Sequence, residues 1–310
     1  MKRLILIFTI SLLLVLAGCE KEEATSATTP FLGGTTGLLM SFLEDAPPQE
    51  VYDGGVFPFD IVIKLNNEGE SDVLAQDVQV RISGLNPSDF SKQSSDLVKH
   101  PDEDLKKTYK DSEGNLVEGT ITYVSFEGIN YKGKISGNLQ FPIRADVCYK
   151  YSTKVISKLC IKKDLTDTSE DSLCIVPEEK QVFNSRAPLQ VTSLKESVRG
   201  GELVGFVFKI EHKGNGNIFQ QDSICDTTGI TYENKAWVNV NTGMEGAKCT
   251  GLTGGTDTSG YVTVYSGERT ITCTQPAASE IDYEKEVEIT LTYDYKEDIS
   301  TQLLLKHTME

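Results

Sequence analysis

The chain has 310 residues, 46 of them acidic against 30 Lys plus Arg, which gives a formal charge of −16 and a pI near 4.7. So acidic a composition excludes a nucleic-acid footprint, which needs a clustered basic face, and disfavours an anionic partner. At this length a single core rarely organises the whole chain, so two domains are expected.

The first element is a leader. Lys2 and Arg3 precede an apolar run over residues 4–17, broken only by Thr9 and Ser11, and Gly18-Cys19 follows. A basic start, a short apolar stretch and small residues at its end are the order of a secretory signal peptide. The run is shorter than the roughly 20 residues a helix needs to cross the hydrocarbon core. Leu16-Ala17-Gly18-Cys19 resembles the lipobox of prokaryotic lipoproteins, which implies removal of residues 1–18, acylation of the Cys19 thiol and a membrane contact through that lipid. Loss of Lys2 and Arg3 takes the charge to −18. Residues 19–36 then read as a lipidated tether, because the first ten after Cys19 are polar or small and show no periodicity.

Strand patterns fill the remainder. Phe57, Phe59, Ile61, Ile63 and Leu65 form one apolar face at a period of two, as do Val78, Val80 and Ile82. Leu139, Phe141, Ile143, Ala145, Val147, Tyr149 and Tyr151 form a longer run, whose wet face is Gln140, Pro142, Arg144, Asp146, Cys148 and Lys150. A period of two with Gly, Pro and Asn punctuation, and no long helical period after the leader, predicts antiparallel strands. Phe206, Phe208 and Ile210 continue the pattern, as do Val287, Ile289, Leu291, Tyr293 and Tyr295. Trp237 lies in a strand beside Val238 and Val240 and is assigned to the core.

An internal repeat organises these strands. Tyr149-Lys150-Tyr151, three residues and Val155 recur as Tyr293-Asp294-Tyr295, three residues and Ile299, at an offset of 144. Ser157, Leu159, Ile161 and Lys162 continue the match as Thr301, Leu303, Leu305 and Lys306. Upstream, residues 59–65 with Gly69 parallel residues 204–210 with Gly214, at an offset of 145. A period this long marks a domain rather than a solenoid turn. The expected division is residues 37–166 and 187–307, joined by a linker over 167–186.

Apart from Cys19 there are six cysteines, an even number in a chain that its leader sends to a disulfide-permissive compartment. A hairpin turn centred on Lys154 sets Cys148 opposite Cys160, and the repeat lacks both together, at Thr292 and Leu304, which predicts a Cys148–Cys160 bridge. The other four allow three connectivities. Cys249 and Cys273 both lie in the second unit beside strand-like runs, which favours that pair and leaves Cys174 in the linker for Cys225.

The strand over residues 59–65, ending in Lys64-Leu65-Asn66-Asn67-Glu68-Gly69, resembles the second strand and turn of CARDB-type immunoglobulin-like domains. The resemblance implies two tandem immunoglobulin-like antiparallel β-sandwiches, all-β throughout, of a kind used at prokaryotic surfaces, archaeal ones in particular, for adhesion, spacing or assembly. It prescribes no catalytic residue.

Function on such a scaffold sits in loops. Residues 83–119 are a long polar stretch that reads as a solvated insertion with a short helix over 102–109, or as a partner-binding or calcium loop whose acidic spacing fits the twelve-residue pattern poorly. Residues 211–235 and 241–260 are the candidates in the second unit. His100, His212 and His307 are scattered, and neither Gly33-Gly34 nor Gly200-Gly201 opens a helix, so neither metal nor cofactor is expected. Asn86-Pro87-Ser88 is excluded as a glycan acceptor by its proline.

The expected function is therefore a non-catalytic, membrane-anchored envelope lipoprotein at the cell surface, engaging an envelope protein or an extracellular ligand. An accessory subunit presenting a small molecule, glycan or ion to a membrane complex is the alternative, for which an aromatic-lined cleft between the domains is the mark. A hydrolase with carboxylate chemistry would show two desolvated acids in one pocket.

Overall fold

Two strands of unusual length set the architecture. They are Leu139–Ile161, of 23 residues, and Tyr283–Lys306, of 24. At about 3.3 Å per residue each runs about 75 Å, against a usual strand of roughly 3–10 residues. The computed structural model describes residues 29–308 apart from 170, 201 and 229. The leader and Cys19 lie outside them. Residues Phe31–Glu310 cluster as one compact unit.

The two long strands pair antiparallel along their whole length, from Tyr283 opposite Ile161 to Leu305 opposite Leu139. No turn interrupts the first at Lys154, so the predicted hairpin is absent. Ser152-Thr153-Lys154-Val155 contains no Gly, Pro, Asn or Asp, and its β-branched residues suit extended backbone. The register obeys the sequence repeat: Tyr149 faces Tyr295 and Tyr151 faces Tyr293, so the 144-residue offset exchanges one pair for the other. Lys150 and Asp294 face each other on the pseudo-twofold axis.

This ribbon is the spine of a nine-stranded sheet. On the N-terminal side of the axis, Val78–Ser83 pairs with residues 144–149 and Glu50–Tyr52 runs parallel to residues 304–306. On the other side, Phe183–Asn184 pairs with residues 155–156 and Lys235–Asn241 with residues 288–292. Each repeat half thus lends the end of its long strand to the other: Val155–Ile161 joins strands of the second half, and Ile299–Lys306 joins strands of the first. A three-stranded sheet (Leu38–Phe42, Phe59–Asn67, Ile121–Ile129) and a five-stranded one built around Leu189–Gly200, Leu203–His212 and Glu268–Pro276 complete the two halves. The chain is all-β among the described residues, with only two short 3-10 turns.

Side chains follow the predicted alternation. Ile61, Ile63, Leu65, Val78, Val80, Phe206, Phe208 and Ile210 are fully buried, and one contiguous core includes both halves. At the axis, Tyr149, Tyr151, Tyr293 and Tyr295 form a closed ring of tilted and edge-on contacts, with centroids 5.7 to 6.4 Å apart. All four hydroxyls are hydrogen-bonded. Leu38 N donates to Tyr149 Oη at 3.2 Å and Leu189 N to Tyr293 Oη at 3.4 Å, while Ser71 N and Gly216 N donate to Tyr151 and Tyr295 at 3.4 and 2.7 Å. The glycines of the repeat are explained here. A Cβ on Gly69 would lie 1.7 Å from Tyr151 Oη, and one on Gly214 would lie 2.2 Å from Tyr295 Oη.

The straight strand also redirects the disulfides. Cys148 and Cys160 sit twelve residues apart on one strand, about 40 Å, so they cannot meet. Cys148 bonds Cys225 and Cys160 bonds Cys174, replacing the expected Cys148–Cys160 and Cys174–Cys225 pairs, while Cys249–Cys273 is as expected. Three further expectations are corrected. Residues 83–119 are not a solvated insertion, since Phe90, Leu97 and Leu105 are buried in the core. No helix forms over 102–109; instead Tyr109–Lys110 pairs with Leu116–Val117 across an Asp111 turn. Trp237 points outward and is half-buried, stacked edge-on against Tyr261 at 4.8 Å, because Ala236, Val238 and Val240 take the inward positions.

Candidate functional site

The face of the ribbon opposite the tyrosine ring carries the wet residues Arg144, Asp146, Cys148 and Lys150, with Asp294 and Lys296 beside them on the second strand. Residues 222–228 arch over this face. The Cys148–Cys225 bond ties the arch to the ribbon, and the Asp294 carboxylate ties it again. Asp294 accepts from the backbone N–H groups of Asp222, Ser223 and Ile224 at 3.1, 2.9 and 2.9 Å, and from Ser223 Oγ at 3.2 Å. Burial pushes its carboxyl above the usual range, and these four donors oppose that shift.

Lys150 closes on Asp222, and that ion pair holds the ammonium above its ordinary pKa. With these ties the arch keeps a left-handed backbone at three non-glycine residues, Asp222, Ile224 and Cys225 (φ 63°, 53° and 50°). Such conformations are costly for ordinary side chains and persist where surroundings fix them. Ile224 remains 61% exposed at the crest.

Three adjoining hollows surround the arch. The largest, about 590 Å³, lies between it and the strand Val78–Ser83, floored by Asp146, Cys148 and Lys296. A second of about 230 Å³ shares Gln79, Cys148 and Ile224 with it, and a third of about 200 Å³ shares Thr227 and Lys296. The cleft is polar. Arg144 reaches Asp146 at 2.9 Å and Asp298 at 3.1 Å, and Lys296 reaches Asp146 at 3.3 Å. Asp226 accepts from Thr228 N and Oγ1, chiefly the backbone bond holding its carboxyl below the usual range.

Of the loops nominated from sequence, 211–235 supplies the arch. The floor was visible as the wet face of residues 139–151, although its charged residues were not nominated as a site. The histidines do not converge: His100 Nδ1 lies on Val78 O, His212 Nε2 on Tyr295 Oη at 3.0 Å, and His307 Nδ1 on Asp53 at 2.7 Å. Among the described residues no group of three or more His, Cys, Asp or Glu could hold a metal ion, and no helix is long and apolar enough to cross a membrane.

No family model matches the chain, and no curated protein does. Among solved structures it is similar to the envelope protein VP37 of White Spot Syndrome Virus, with a TM-score of 0.22 and 7% identity, covering 47% of this chain and 97% of that one. A likeness so slight carries no argument about function.

Proposed function

We propose that this chain is a non-catalytic extracytoplasmic lipoprotein, held to a membrane through Cys19, that presents the arched cleft as a binding surface on two fused immunoglobulin-like β-sandwiches. The observation that carries the reading is the arch itself. A strained loop of the second half, tied to the first by a disulfide and to its own long strand by a buried carboxylate, is a preformed site rather than a passive connection. Three disulfides agree with folding in an oxidising compartment, as the leader implies.

The lining of the largest hollow has no aromatic residue among those described, which favours this reading over an accessory subunit presenting a small molecule, glycan or ion. It also gives carboxylate hydrolysis no support. Asp294 is saturated by the arch and Asp146 by two cations, so among the described residues lining the cleft no desolvated acid pair stands free. The test is photo-crosslinking on intact cells from Thr227 at the cleft lip and from Glu127 on the distant three-stranded sheet, with mass spectrometry of the N-terminal peptide. A lipid-modified Cys19 and a recurrent envelope component captured from Thr227 alone are the expected results. An unmodified Cys19 would overturn the anchor, and equal or no capture from both positions would overturn the binding role.

A further inference from the structure

We infer that the outer face of the three-stranded sheet lies against an uncharged or zwitterionic lipid bilayer, with the arch on the opposite side pointing away from it; the inference rests on the reading of Cys19 as a lipid anchor and adds which surface that anchor brings down. The outward side chains of this sheet form three short rows. Leu39 and Ile121 lie on either side of Asn66, Tyr123 lies beside Lys64, and Leu43 N donates to Val62 O at 2.9 Å, with Ser41 and Ser125 filling the remaining places. Leu39, Leu43, Ile121 and Tyr123 are each between 40 and 49% exposed. In a chain of net charge −16 the rows hold one charge, Lys64, and no carboxylate. Glu44, Asp60, Glu68 and Glu127 come only beyond the rows, along the same strands, and disfavour an anionic lipid surface.

The fold does not require apolar residues at these positions. The 145-residue repeat sets Val207, Lys209 and Glu211 where the first half has Val62, Lys64 and Asn66, and there the cross-strand neighbours are polar. Gln190 stands in place of Leu39, Lys195 of Leu43, Glu268 of Ile121 and Thr270 of Tyr123. The apolar set is thus confined to the half that receives the N-terminal segment. Leu32 N and Gly33 N donate to the Glu70 carboxylate at 2.9 and 3.2 Å, Arg186 Nε donates to Gly33 O at 2.9 Å, and Gly37 O accepts from Gly69 N at 3.1 Å. The residues that follow, Leu38–Phe42, are the edge strand of the patch itself. This clamp sits at the hydroxyl tips of the tyrosine ring, since Gly69 abuts Tyr151 Oη and Arg186 O accepts from it at 3.3 Å. The segment therefore enters on the ring side of the ribbon, opposite the arch. Twelve residues separate Cys19 from Leu32, which allows about 45 Å at full stretch and about 20 Å for a coil of that length. Packed sheets lie about 10 Å apart, so an anchor of that reach on the ring side brings the outer face of the three-stranded sheet to the lipid. Half-exposed Leu and Ile gain from burial there, and a tyrosine suits the boundary between headgroups and acyl chains.

The experiment places the full chain, purified with its own N-terminal modification, on phosphatidylcholine vesicles that contain a phosphatidylcholine with a diazirine high on one acyl chain. After irradiation, mass spectrometry maps the lipid adducts and reads the N-terminal peptide. Peptides covering residues 38–43 and 121–125 should carry about tenfold or more adduct than those covering the arch, 222–228, or the matching face of the second half, 268–274. Two variants copy residues that the second half already tolerates in the same places: Tyr123→Thr and Leu39→Gln. Either should cut the labelling of the three-stranded sheet several-fold, whereas Tyr265→Ser, at an exposed tyrosine of the other half, should leave it unchanged. Adducts on the arch, adducts spread evenly over both halves, labelling that appears only with phosphatidylglycerol, or unchanged labelling in both variants overturns the inference. A lipid-modified Cys19 with an unlabelled sheet overturns this inference alone, and an unmodified Cys19 overturns the anchor and this inference with it.

Discussion

Replacing Gly69 with alanine puts a methyl group where the Tyr151 hydroxyl already is. The added Cβ would lie 1.7 Å from Tyr151 Oη and 2.9 Å from both Tyr151 Cζ and Thr36 O. Tyr151 is 1% exposed and cannot swing aside without breaking its ring contacts with Tyr149 and Tyr293. Overpacking of this kind costs about 1–3 kcal/mol, and displacing the hydroxyl from Ser71 N and Arg186 O adds about 1 kcal/mol, so a loss of about 3 kcal/mol is expected. Tyr151→Phe alone removes only those two long hydrogen bonds, at about 1 kcal/mol. In the double variant the worst contact is gone. The two losses should then fall short of additivity by about 1 kcal/mol or more. Urea unfolding of the full chain under non-reducing conditions, run as a double-mutant cycle, measures this directly. Strict additivity, or a Gly69→Ala loss below about 0.5 kcal/mol, would refute the claim that the repeat's glycines exist to seat the tyrosines.

Three other outcomes are expected. Glu196 is fully buried, with one oxygen 3.0 Å from Cys160 N and the other without a partner, and burial raises its carboxyl from 4.5 to about 7. The folded state therefore holds a proton between those values that the unfolded chain releases, so stability is greatest below pH 4.5 and declines through pH 7, by about 3 kcal/mol at most from this group. Unfolding free energies between pH 5 and 8 should show the decline, and Glu196→Gln should flatten it; an unchanged slope in that variant rejects the assignment. Truncation after Glu297 removes the buried Leu303 and Leu305 and the His307 and Thr308 contacts to Asp53, at roughly 5 kcal/mol or more. Hydrogen exchange should then accelerate in Phe59–Asn67 and Ile121–Ile129 but not in Leu203–His212, whereas uniform exchange across both halves would argue against the crossed connection. Non-reduced peptide mapping should recover Cys148 with Cys225 and Cys160 with Cys174, and a Cys148–Cys160 peptide would contradict the straight strand.

Local physics was legible in the sequence where it decides structure. The period of two fixed which side chains face inward, and the offset of 144 paired Tyr149 and Tyr151 with their counterparts before any geometry was known. The hairpin expected at Lys154 is absent, and residues 152–155 hold no Gly, Pro, Asn or Asp to turn the chain. Whether Val155–Ile161 folds back or runs on is settled by which partner strand is available, and that partner lies more than a hundred residues away. The same non-local choice moved Cys160 to Cys174 and left Cys148 for the arch. Arg81, Asp146 and Lys296 are ordinary surface charges in the sequence; only the crossing of two strands makes them neighbours.

The crossed strands also order events in time. Ile143 and Phe141 lie opposite Thr301 and the buried Leu303, some 160 residues further along the chain. At a synthesis rate of about 5–20 residues per second, that strand follows by on the order of 10–30 s. Until it arrives, the N-terminal sheet has a vacant edge and unsheltered apolar residues, a template for pairing with another chain. The first half to be made is thus among the last to be sealed, and an export route that delivers the segments far apart in time would need to keep that edge covered.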